Sequence, residues 1–121
     1  MKYRLRVDSE ISGYMEIKNN VHFYSKDMYG WTNQPIEYNQ KDRCLNLKDK
    51  KGTILFHGDL CVDINTDEIV FICYHNEQWY YVNHLTKEKN ILEQSLSFSK
   101  RLKKFDEIHK YPNKFNDLFN S

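Results

Sequence analysis

Apolar and polar residues alternate from the start of the chain: Tyr3, Leu5 and Val7 fall on one side, Lys2, Arg4 and Arg6 on the other. A period of two ending on a β-branched residue predicts a half-buried strand over 2–7. Two short apolar-aromatic runs follow, at 14–17 and 21–24, broken by Lys18-Asn19-Asn20. Asparagine tolerates the positive φ that tight turns require, so 14–24 predicts a hairpin. Residues 25–43 are polar, punctuated by Gly30 and Pro35, and predict a loop around Trp31. Further on, 45–47 and 53–56 flank Asp49-Lys50-Lys51-Gly52, which suits a type I turn closed by a left-handed glycine. Gly58 before Asp59 predicts a bend, with Ile54, Phe56, Leu60 and Val62 feeding a core.

The run 69–74 is continuously apolar, short and β-branched, as a buried strand would be. A polar break at 75–78 and the aromatic run 79–82 complete a second predicted hairpin. Residues 91–98 fit two templates. Leu92, Leu96 and Phe98 share a strand face, while Leu92 and Leu96 also stand at helical i, i+4 spacing. Ser97 and Ser99 fill helices poorly, so a strand is expected. Pro112 excludes a helix through 108–114, and 116–118 suit one last turn. Many short strands with local turns predict a mainly β fold with little helix, a small barrel or rolled sheet behind an N-terminal strand and hairpin segment.

At 121 residues the chain fits one domain, 1–121, read as an N-terminal segment 1–40 and a β core 41–121. The mean hydropathy of −0.81 is low, yet 40% of residues are hydrophobic and 15% aromatic, too apolar for disorder. A net charge of +1 gives no strong pull toward nucleic acid or acidic membranes. The odd set Cys44, Cys61 and Cys73 makes a poor disulfide framework and points to a reducing cytoplasm. No apolar run reaches the ~20 residues needed to span a bilayer, and the N-terminus lacks the apolar stretch of a signal peptide, so no membrane association is expected.

Residues 45–60, Leu-Asn-Leu-Lys-Asp-Lys-Lys-Gly-Thr-Ile-Leu-Phe-His-Gly-Asp-Leu, resemble the signature of the YopX-like phage protein family. The matching positions are Leu47, Asp49, Gly52, Gly58, Asp59 and Leu60. Asn46 and His57 depart from the family pattern. The stretch 105–115 is similar to the family's closing motif, except for His109-Lys110, and Lys2–Arg6 looks like its opening strand. The resemblance implies an SH3-like β-barrel or roll and a phage or prophage gene. It implies no enzymatic activity, so no catalytic residue and no cofactor are assigned. The motif also has a structural reading, in which Gly52 closes a turn and Asp49 bonds back to a turn amide.

His57, Cys61, Cys73 and His75 all carry odd numbers and would converge as zinc ligands if their strands paired, but they lack a Cys-x-x-Cys knuckle. A cysteine nucleophile has no supporting pattern, and the four glycines are not clustered into a phosphate loop. Lys100, Arg101, Lys103 and Lys104 form a basic cluster beside Phe105 that could follow a phosphate backbone. Tyr74, Trp79, Tyr80 and Tyr81, with Trp31 as an outlier, are ring types enriched in protein-binding hot spots. Tyr29 adds to that supply. The expectation is a non-enzymatic accessory protein that binds a host or phage protein, inhibition being one way to act. A nucleic-acid-binding regulator using 100–104 is the alternative. An open edge strand would also allow pairing with a second copy.

Overall fold

The structure, a computed structural model, describes residues 1–93 and 95–108. The sequence features placed at 109–118, including Pro112 and most of the 105–115 motif, lie outside the described residues. The fold is mainly β, as the alternation predicts. Its strands, in chain order, are β1 (Lys2–Val7), β2 (Glu10–Lys18), β3 (Val21–Ser25), β4 (Gln40–Lys48), β5 (Ile54–Phe56), β6 (Asp59–Asp63), β7 (Glu68–His75), β8 (Gln78–Asn83), β9 (Lys89–Ile91) and β10 (Leu102–Glu107). One short helix, α1 (Leu96–Ser99), precedes β10. Two antiparallel five-stranded sheets run in the orders β3-β2-β1-β4-β5 and β10-β6-β7-β8-β9. No closed barrel forms among the described residues. The chain divides into two compact units, Met1–Cys44 and the remainder from Leu45.

In the first unit, β2 and β3 meet at Asn19-Asn20, with φ of 51° and 64° and Lys18 opposite Val21. Positive φ at both central residues is the type I′ geometry that the Asn pair permits. A hairpin that the sequence reading missed precedes it. Val7 stands opposite Glu10, so β2 begins four residues before the apolar run at 14. A bulge between Leu5 and Arg6 shifts the register. Gly13 lies opposite Leu5, and a Cβ there would come within 2.8 Å of Ile36 Cδ1 and 2.9 Å of the Ser25 carbonyl oxygen.

The half-buried reading of β1 needs correction at its centre, where both faces are buried, although Val7 and Lys2 at its ends are not. Leu5 is fully buried on one face, and Arg4 and Arg6 are 1% and 8% exposed on the other. Buried guanidinium groups require a carboxylate, and Asp42 on β4 provides it. Its Oδ2 accepts from Arg4 Nε and Arg6 Nε, both at 2.9 Å, and its Oδ1 accepts from Arg6 Nη2 at 2.9 Å. These bonds join strands that also pair directly, Arg4 opposite Asp42. The sequence reading placed Asp42 in a loop, which is why the pairing was not foreseen.

In the second unit, β7 explains its own composition. Val70 and Ile72 enter one apolar cluster with Leu45, Leu55, Cys61, Trp79 and Leu102, while Phe71 and Cys73 enter another with Leu60, Val82 and Ile108. A strand buried on both faces needs a continuous apolar run. β7 and β8 turn at Asn76-Glu77, φ 50° and 63°, the predicted second hairpin. The expected strand over 91–98 is not formed. β9 ends at Ile91, and residues 96–99 make a helical turn that sets Phe98 into the first cluster. Ser95 Oγ accepts the Phe98 N–H at 3.3 Å, so serine acts as a cap at the start of that turn. Phe56 and Leu60 are buried as expected, but Ile54 and Val62 are only half-buried, and Leu55 and Cys61 fill the core in their place.

Two substitutions test this packing. Asp42→Ala leaves two buried guanidinium groups without their shared carboxylate and should cost about 3–5 kcal/mol in urea unfolding. A loss under ~1 kcal/mol would contradict the buried pairing. Gly13→Ala should lower stability by about 1–3 kcal/mol, since backbone oxygen stands where the methyl must go. An unchanged midpoint would show that Ile36 and Ser25 move aside freely.

Candidate functional site

The 45–60 motif is built as a pair of carboxylate-pinned turns. Asp49 Oδ1 accepts the N–H of Lys51 at 2.9 Å and of Thr53 at 2.8 Å, and Gly52 closes the turn at φ 87°. Asp49 Oδ2 accepts the Lys104 N–H at 2.9 Å, tying the turn to β10. Asp59, fully buried, accepts the Phe56 N–H through Oδ2 at 2.8 Å across the bend at Gly58, whose φ is 90°. Lys104 Nζ lies 3.4 Å from Asp59 and 3.2 Å from Glu107. Each matched residue with a polar side chain is therefore occupied in folding, as the structural reading of the motif expects.

The four thiol and imidazole residues do not converge. Antiparallel pairing sets Cys61 opposite Val70, so odd positions of β6 share a face with even positions of β7. Cys61 and Cys73 consequently enter opposite clusters. His57 lies in the bend rather than in a strand, and its Nδ1 accepts the Tyr74 N–H at 2.9 Å. Among the described residues, no group of three or more His, Cys, Asp or Glu is placed to hold a metal ion. Burial pushes the Cys61 thiol well above its ordinary value, with the Asp59 and Asp49 charges adding to the effect. Burial alone pushes Cys73 up.

The aromatic hairpin is mostly core. Trp79 is 6% exposed and packs on Tyr74 with ring centroids 5.0 Å apart. Tyr81 packs on Phe98 at 4.9 Å. Tyr80 points to the other face, as alternation requires, beside the Phe71 cluster. Tyr74, Tyr80 and Tyr81 are half-buried and support the two clusters. The expectation that this hairpin offers its rings outward is corrected for Trp79. In the basic segment, Arg101 bonds Asp63 at 2.6 Å and Lys104 is held by Asp59 and Glu107, while Lys100 and Lys103 are exposed.

Phe105, beside that segment, is also exposed, but the most exposed ring among the described residues lies in the first unit. Tyr29 is 91% exposed within the loop between β3 and β4. That loop is pinned at its start. Asp27 Oδ1 accepts the Tyr29 N–H at 2.9 Å and that of Gly30 at 3.4 Å. The buried Ser25 hydroxyl accepts the Met28 N–H at 2.9 Å, and Met28 takes φ 69°. Those backbone bonds hold the Asp27 carboxyl below its usual value, the Tyr29 N–H first. Thr32 then exchanges both backbone bonds with Tyr24, at 2.7 and 2.9 Å. At the far end Asn39 bonds the Arg6 carbonyl and both sides of Asp8. Beside the loop, Trp31 and Phe23 line a cleft of about 450 Å³ with Lys2, Glu16 and Lys18. Sequence reasoning named Trp31 but gave no weight to Ser25-x-Asp27, the turn chemistry that locates the pinned segment.

Reactivity of the thiols checks this assignment. All three cysteines are at most 5% exposed, so the native protein should titrate no thiol with a disulfide reagent at pH 8, and three after denaturation. A fast-reacting native thiol would contradict the burial of that residue. No protein-family model matches the chain, and comparison with curated proteins gave no match.

Proposed function

We propose that this chain is a non-enzymatic accessory protein of a phage or prophage that acts in the host cytoplasm by binding a host or phage protein, inhibition being one way to act. Tyr29 is the observation that supports this reading best. A tyrosine 91% exposed at a tip fixed by its own backbone bonds combines a hot-spot residue type with prior ordering, which lowers the entropy lost on binding. Tyrosine has few rotatable bonds and a polar end, the properties that make it a common recognition residue. The phage origin rests on the YopX-like pattern at Leu47, Asp49, Gly52, Gly58, Asp59 and Leu60. The structural use of those residues fits a motif that specifies a fold. The site of action then lies away from it.

The test is capture of a partner by the tagged full chain from nuclease-treated host lysate. Tyr29→Ala should weaken a captured partner by about 2 kcal/mol, roughly thirtyfold in Kd, with the melting temperature unchanged. Equal capture by the variant would refute the role of the loop. Loss of every captured species after nuclease treatment would favour a nucleic-acid-binding regulator instead.

A further inference from the structure

Phe23, Glu16 and Lys2 stand directly opposite one another across β3, β2 and β1, and so share one face. Lys18, two residues along β2 from Glu16, joins them on that face. Glu16 is bonded by Lys18 Nζ at 2.9 Å and lies 3.7 Å from Lys2 Nζ. The Lys18 bond, and then the charges of Lys18 and Lys2, hold its carboxyl below the ordinary value. It therefore stays ionised and keeps both ammonium groups at the cleft. Each ammonium carries three donors, and the lysine side chains remain 40% and 69% exposed. Two cations facing one carboxylate leave positive charge beside the Phe23 and Trp31 rings.

Among the described residues, the adjoining backbone edge is partly filled by the chain itself. β3 is the end strand of its sheet. Tyr24 spends its outward N–H and C=O on Thr32 in a single antiparallel bridge. Backbone groups alternate along a strand, so those of His22 leave by the same edge. The edge thus accepts an antiparallel strand at one residue and offers a second donor–acceptor pair two residues away.

We propose that this cleft takes an acidic, extended segment of the partner protein, paired with β3 at His22 beyond the Thr32 bridge, with an apolar side chain against Phe23 and Trp31 and a carboxylate at Lys2 and Lys18. The inference rests on the protein-binding reading above and adds the chemistry of the bound segment. Strand addition uses main-chain bonds for affinity and alternate side chains for selection. A phosphate backbone supplies acceptors alone, which answer the His22 N–H but leave its C=O without a donor, so a peptide suits the edge better than a nucleic acid.

Fluorescence anisotropy with defined probes tests it on the full chain. The probe is Ser-Phe-Ser-Glu-Ser-Glu-Ser, in which Phe and Glu share a face. Saturable binding is expected, at least tenfold tighter than for the same peptide with Lys in place of Glu. Lys18→Glu should reverse that preference, and Trp31→Ala should weaken both peptides, with melting temperatures unchanged. N-methylation of alternate probe amides should abolish binding. No saturation at millimolar probe, equal affinity for the Lys peptide, or tighter binding of a single-stranded oligonucleotide at the same residues would overturn the proposal. If the peptide fails while Tyr29-dependent capture of a protein persists, this inference falls and the binding function stands.

Discussion

The first unit depends on one buried carboxylate. Asp42 answers the guanidinium groups of Arg4 and Arg6 at once, and all three side chains are nearly excluded from water. A buried guanidinium without a partner is too costly to persist, so the bond fixes β4 beside β1. That placement sets the course of everything between β3 and β4. With strands in the order β3-β2-β1-β4, the segment 26–39 must pass β2 and β1, roughly 14 Å over the three strand spacings from β3 to β4. Ile36 meets Gly13 of β2 on that path, and the glycine is what leaves room for it. The loop that carries Tyr29 and Trp31 is thereby anchored at both ends on one sheet.

A second set of carboxylates does comparable work after Cys44. Asp49 and Asp59 accept backbone N–H groups at turns that would otherwise bury them unpaired. Lys104 compensates the charge that Asp59 would leave in the interior. Residues that look like candidates for chemistry in a linear reading are in this way consumed by the fold. His57 follows the same logic, because its ring accepts a strand amide instead of facing a ligand.

What could be read from the sequence follows the range of each interaction. The hairpins at Asn19-Asn20 and Asn76-Glu77 and the turn at Asp49–Gly52 are set by neighbours in the chain, and they were legible. So was β7, whose unbroken apolar run reflects burial on both faces. Burial of Arg4 was not legible, because its partner lies 38 residues away in a stretch without apolar periodicity. The faces of Cys61 and Cys73 depend on a register that counting odd and even positions within one strand cannot supply. The helical turn at 96–99 was lost to weak serine propensity, which Ser95 offsets by capping. Aromatic richness of 79–82 indicated an important hairpin but not its burial, since large rings serve cores and interfaces equally.

Function on this account rests on presentation rather than reactivity: a ring held outward before any partner arrives. Backbone ¹⁵N relaxation of residues 26–32 measures that directly. Order parameters near ~0.85 are expected at the Met28, Tyr29 and Gly30 amides, the level of rigid backbone. Values below ~0.6 at those amides, with a rigid sheet on either side, would contradict it.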